Sequence, residues 1–275
     1  IKVSLPHNGD AENPQNLFYD YTYTMPSGYS KTKDQTKTIT TTAAGTYSAP
    51  IYQGGNVINN PSETEITVDK QLYINNVLTA VLNHNYNYIG GGVIYNAGTI
   101  TALTADFIAN SVTGNSTGIA GDVVGGAIVN ADYNAKIGDI TGDFIANYVR
   151  NRSGSAEGGA IWNYRGATIG DIRGDFIGNY AQSASIPAGG GAISNTGTIG
   201  NISGDFIGNY AQSLPDNIYV TSNGGAISNY SGTIGDINGD FIGNYAEATG
   251  GGAYGGAIAN YTQNNSQIGN ITGDF

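Results

Sequence analysis

The sequence predicts an all-β chain wound as a parallel β-helix of about six rungs behind an irregular N-terminal β cap. Two paired boxes carry that prediction. A Gly-Gly-x-Ile box recurs at Gly91–Ile94, Gly125–Ile128, Gly158–Ile161, Gly190–Ile193, Gly224–Ile227 and Gly255–Ile258, with 31 to 34 residues between successive isoleucines. Between the boxes lies an Asp-Phe pair, giving Phe107, Phe144, Phe176, Phe206, Phe241 and Phe275. A fixed period of this length is the mark of a solenoid, whose stability grows with each stacked unit. The 43 glycines supply the third observation. They cut the chain into runs too short for helices, and each interior helical glycine would cost about 1 kcal/mol.

Residues 1–88 stand outside the repeat and hold five of the seven prolines. Short β-like stretches fall at Phe18–Thr24, Thr36–Thr42, Glu65–Val68 and Gln71–Leu82. This region is expected to cap the open strand edges of the solenoid, ending in one or two irregular coils. Residues 89–275 form the array. In the unit starting at Gly224, three strands are expected: Ala226–Asn229, Thr233–Ile237 and Asp240–Tyr245. The apolar groups of one rung cannot offset the entropy of ordering it, so rungs must stack. The array stops in mid-strand at Phe275, which suggests that it runs on.

Composition narrows the function. The net charge is −11, and after Arg173 no cation follows while seven acids do. Such a surface repels nucleic acid. No apolar run is long enough to span a membrane. Without cysteine, zinc ribbons, iron–sulfur clusters and thiol nucleophiles are excluded.

Repetition stacks like residues into ladders. Asn96, Asn130, Asn163, Asn195, Asn229 and Asn260 form one, and Asn110, Asn147, Asn179, Asn209 and Asn244 another. An amide both donates and accepts, so these are expected to bond rung to rung. Phe107, Phe144, Phe176, Phe206 and Phe241 are expected inside. Strand alternation then turns Ile108, Ile145, Ile177, Ile207 and Ile242 outward, to be covered by other chain or by a partner. Acids recur as Asp139 with Asp143, Asp171 with Asp175, and Asp236 with Asp240. Either each carboxylate bonds a turn amide, or calcium bridges the ladder. Paired acids also serve glycosidases, but a pair repeated in every unit reads as scaffold, and no catalytic residue is assigned. Trp162 is expected as an exposed rung side chain. His7 and His84 are too isolated for a triad. Variable stretches, including Ser111–Val124 and Val149–Glu157, leave one corner of the rod and are candidates for a binding face, along with Tyr180, Tyr210 and Tyr245.

The alternating Gly-Gly-Ala-Ile and Phe-x-x-Asn boxes of residues 89–275 resemble the polymorphic membrane proteins of chlamydiae and similar autotransporter passengers. That resemblance implies a right-handed parallel β-helix exported to the surface of a Gram-negative cell, often ahead of a C-terminal barrel. Such passengers include adhesins, proteases, esterases and structural rods; the expectation for this chain is adhesion or surface display towards a host or neighbouring cell, a glycan or matrix, rather than catalysis. A self-associating fibre or coat subunit is the second expectation, and a polysaccharide-acting enzyme the third. Apart from calcium, no cofactor is expected. The Ile-Gly-Asp-Ile-x-Gly-Asp insert is more uniform here than in that family, which hints at a filamentous relative.

Overall fold

The computed structural model describes residues 1–4, 20–40, 51–81, 87–115, 121–214, 220–261 and 265–275. Every regular element described is a strand, and the sheets are parallel apart from one N-terminal ribbon. Chain turns stack with equivalent residues in register: Ile94, Ile128, Ile161, Ile193, Ile227 and Ile258 are successive partners. Phe107, Phe144, Phe176, Phe206 and Phe241 are another such column. The chain is a parallel β-helix.

One turn carries six short strands, more than the three expected. From Ile193 these are Ile193–Asn195, Thr198–Ile199, Ile202–Ser203, Phe206–Ile207, Tyr210–Ser213 and Ser222–Asn223. In the unit starting at Gly224, the stretch 233–237 breaks into Thr233–Ile234 and Ile237–Asn238. The stretch 240–245 breaks after Phe241–Ile242, because Gly243 adopts a left-handed φ of 61° and turns the chain before Tyr245–Ala248. The sixth strand, Ala253–Tyr254, lies in the variable stretch ahead of the last glycine box.

The stacking also starts earlier than residue 89. Ile58 pairs with Ile94, Asn60 with Asn96, Gly54 with Gly90 and Tyr73 with Phe107. Gly54-Gly55-Asn56-Val57-Ile58 is thus a degenerate box, and strand Thr36–Thr40 already pairs with Val77–Val81. These are the irregular coils expected at the end of the N-terminal region, and the boundary at 88 separates irregular from regular turns.

Inside, Tyr73 and the phenylalanines stack face to face with ring centroids 4.8–5.3 Å apart. That matches the spacing of neighbouring strands. Isoleucines from three strands per turn complete the core. The glycine doublet has two separate causes. Gly190 has φ of 60°, which an L side chain rarely adopts. Gly191 lies against other backbone, where an added Cβ would come within 2.1 Å of Gly225 O and 2.5 Å of Tyr210 N.

The outward isoleucines are covered over part of their length. Ile108, Ile145 and Ile177 are buried in a cluster with Val3, Tyr23, Leu72 and Ile74. Val3 and Tyr23 belong to the N-terminal segment, where Lys2–Ser4 pairs antiparallel with Asp20–Thr22. The Tyr23 hydroxyl donates to Asp106 Oδ2. Ile207 is only partly buried, and Ile242 is 46% exposed.

Candidate functional site

The repeated polar residues turn inward on the scaffold. Asn60, Asn96, Asn130, Asn163, Asn195, Asn229 and Asn260 form a chain in which each Nδ2 donates to the next Oδ1 at 2.7–3.0 Å. The second column, Asn76 to Asn244, does the same at 2.9–3.0 Å, and its Oδ1 atoms also accept backbone N–H groups. The members preceding Asn244 are fully buried.

The aspartates form two further columns, each fastening a backbone amide. Oδ1 of Asp106, Asp143, Asp175, Asp205 and Asp240 accepts from the N–H of the next aspartate at 2.8–3.0 Å. Oδ1 of Asp139, Asp171 and Asp236 does likewise for Asp171, Asn201 and Asn270. Asn201 takes the aspartate's place and its Oδ1 accepts from Asp236 N at 2.9 Å. An acceptor oxygen is what the position needs, not a charge. Arg173 adds ion pairs of 3.0 Å to Asp139 and to Asp171. Its hydrogen bond to Asp139, aided by the Asp171 amide, pulls that carboxyl below its usual range. Among the described residues, no group of three or more His, Asp or Glu is placed to hold a metal ion.

A different chemistry gathers at the glycine corner. Two outward columns flank the doublet there, and both vary from turn to turn. Before the doublet stand Gly90, Val124, Glu157, Gly189, Asn223 and Tyr254 in register. After it stand Tyr95, Val129, Trp162, Ser194, Ser228 and Ala259. Small residues on either side of the glycines leave a hollow. Two depressions of about 680 and 350 Å³ share Glu157, Thr196 and Tyr230 and run across the turns. Tyr88 and Tyr164 line the larger one, and Tyr261 lines the smaller.

Trp162 lies at the floor, 4% exposed, between Tyr88 and Tyr164 with ring centroids at 6.0 and 5.4 Å. The expected exposed rung side chain is thus buried, because Tyr88 from two turns earlier and Tyr164 from its own turn flank the indole. Across the glycine corner, Trp162 Nε1 donates to Glu157 Oε2 at 3.2 Å, and Ser194 Oγ donates to the same oxygen at 3.2 Å. Burial pushes the Glu157 carboxyl up, as does the charge of Asp122, against the pull of these two bonds. Asp122 is raised by burial as well, although Ser155 N reaches its Oδ1 at 2.8 Å and Tyr88 bonds it. Tyr88 itself is pushed up to about 12, by burial and then by the charges of Asp122 and Glu157.

Glu157 and Asp122 fall at or near the ends of two variable stretches that the sequence offers as candidates for a binding face, and no pattern within those stretches marks either residue. The signal was there as contrast: constant boxes flanked by two columns that do not repeat. The tyrosines named as a contact surface behave otherwise. Tyr148, Tyr180, Tyr210 and Tyr245 stack at 4.7–5.0 Å, which leaves Tyr180 and Tyr210 only 6% and 5% exposed. The faces of Tyr180 and Tyr210 are spent on their neighbours, while Tyr245 stacks on Tyr210 and stays partly exposed. His7 and His84 lie outside the described residues.

No family model matches the chain, and no curated protein or solved structure matches it either.

Proposed function

We propose that this chain is a binding protein of the cell surface or extracellular space. On this reading it acts in adhesion or display by holding a glycan of a host or neighbouring cell, or of matrix, in the groove at its glycine corner. The observation that supports the reading is the groove: it runs across successive turns, with tyrosine rings on its walls and carboxylates at its base. Sugars offer a C–H face to stack on aromatic rings and hydroxyls to donate to carboxylates, which suits a concave site with few, placed polar groups. Tyr230 is half exposed and Tyr88 and Tyr164 partly so, which leaves ring surface for a ligand. The Gly-Gly-Ala-Ile and Phe-x-x-Asn boxes, similar to those of autotransporter passengers, agree with display outside a Gram-negative cell. Binding rather than catalysis is the reading, with calcium playing no part in the groove.

Titration of the purified chain against a panel of oligosaccharides tests this. At least one should bind, and Tyr164→Ala with Tyr230→Ala should abolish that binding while the fold stays intact by circular dichroism. Absence of binding across neutral, acidic and amino-bearing glycans would sink the reading.

A further inference from the structure

Unlike the ladder aspartates, Asp122 and Glu157 have no acidic counterpart in the adjoining turns, and among the described residues neither forms an ion pair. They occupy adjacent turns: Val124 pairs with Glu157, and Asp122 lies two residues before Val124 on the same strand. Alternation therefore puts both side chains on one face. Their Cα atoms are offset by one strand spacing across, about 4.8 Å, and two residues along, about 6.6 Å, hence roughly 8 Å apart. Each is partly withdrawn from water, and the Asp122 charge disfavours that of Glu157.

Enclosed carboxylates are ordinarily paired with a positive group, because desolvating an unpaired charge is costly. Among the described residues the ion pairs are Lys31–Asp34, Arg173–Asp139 and Arg173–Asp171. None involves Asp122 or Glu157. Arg165 lines the same groove but is exposed and forms no ion pair with either. The scaffold instead fixes the two acids with neutral donors: Trp162 and Ser194 for Glu157, Ser155 and Tyr88 for Asp122. These orient the carboxylates without cancelling their charge.

We propose that the missing cation belongs to the ligand, and that the groove selects glycans with free amino groups, the ammonium lying between Asp122 and Glu157 while the sugar ring stacks on Tyr164. This rests on the glycan-binding reading above and narrows it to amino sugars. Uronate and sialylated chains, carrying the opposite charge, are rejected by the same pair.

The test is calorimetric titration of the whole chain with three probes: a glucosamine hexamer, its fully N-acetylated counterpart and an oligogalacturonate. Spermine serves as a cation without a sugar ring. The glucosamine hexamer should bind at least about tenfold more tightly than the acetylated one, the scale of one hydrogen bond to a charged group. The oligogalacturonate should not bind. Glu157→Gln and Asp122→Asn, which keep shape and acceptor oxygens, should each erase that preference without lowering the melting temperature. Tyr164→Ala should weaken glucosamine binding and leave spermine unaffected. Equal binding of both hexamers overturns the ammonium site but leaves glycan binding standing. Binding of neither overturns both. Spermine binding as tight as the glucosamine hexamer, and indifferent to Tyr164→Ala, overturns amino-sugar selection in favour of bare cation capture.

Discussion

The ladder carboxylates and the groove carboxylates are the same functional group put to opposite uses. Asp143, Asp175, Asp205 and Asp240 repeat, and each spends an oxygen on the backbone of the next turn. Asp122 and Glu157 have no acidic counterpart in the turns beside them. They are held by side chains and amides around a hollow, at a cost in desolvation. In a solenoid, repetition marks what stabilises every interface alike. Chemistry aimed at a ligand needs a departure from it, and that departure is visible only against the constant columns.

The comparison can be broken hardest from the scaffold side. Phe176→Ala opens a void between Phe144 and Phe206 in a fully buried stack, and should cost about 3–5 kcal/mol in urea unfolding. Asn179→Ala removes an oxygen serving Asn147 N and Nδ2 and a donor serving Phe144 O and Asn209 Oδ1. With those partners left buried, roughly 2–3 kcal/mol should be lost.

The aspartate ladder offers a sharper contrast. Asp175→Ala should cost about 1 kcal/mol, whereas Asp175→Asn should stay within about 0.5 kcal/mol of the parent, as Asn201 does the same work naturally. A loss for Asp175→Asn as large as for Asp175→Ala would show that charge matters there. The melting temperature should then also rise with calcium and fall with chelator, whereas amide bonding alone leaves it unmoved by either.

On the groove side the sign reverses. Burial raises the Glu157 and Asp122 carboxyls, so the folded chain holds their protons to higher pH than the unfolded chain does. Their cost is present above the raised folded values and is relieved as pH falls through them. Glu157→Gln with Asp122→Asn should therefore raise the melting temperature at neutral pH by a few degrees, and the gain should shrink on acidification. A double variant less stable than the parent at neutral pH would place these residues with the scaffold. The smallest effect should come from Arg173→Gln, whose two ion pairs are half exposed and amount to at most about 1 kcal/mol together.

The periodic boxes determined the parallel β-helix, the stacked Phe and Asn columns and the need for many turns, because a repeat of 31 to 34 residues can bury its apolar side chains only against its own copies. Local pattern also located the variable stretches. It called for one or two irregular coils ahead of the array without placing them, since Asn56 stands where the second box glycine belongs, although Ile58 and Asn60 keep their positions. It did not reveal that the N-terminal ribbon hides Ile108 and Ile145, which takes a contact between segments far apart in the chain. Nor did it join Glu157 to Trp162 and Asp122. Only the left-handed turn at Gly158 and the register of adjacent turns bring these three together, and spacing along the chain encodes neither.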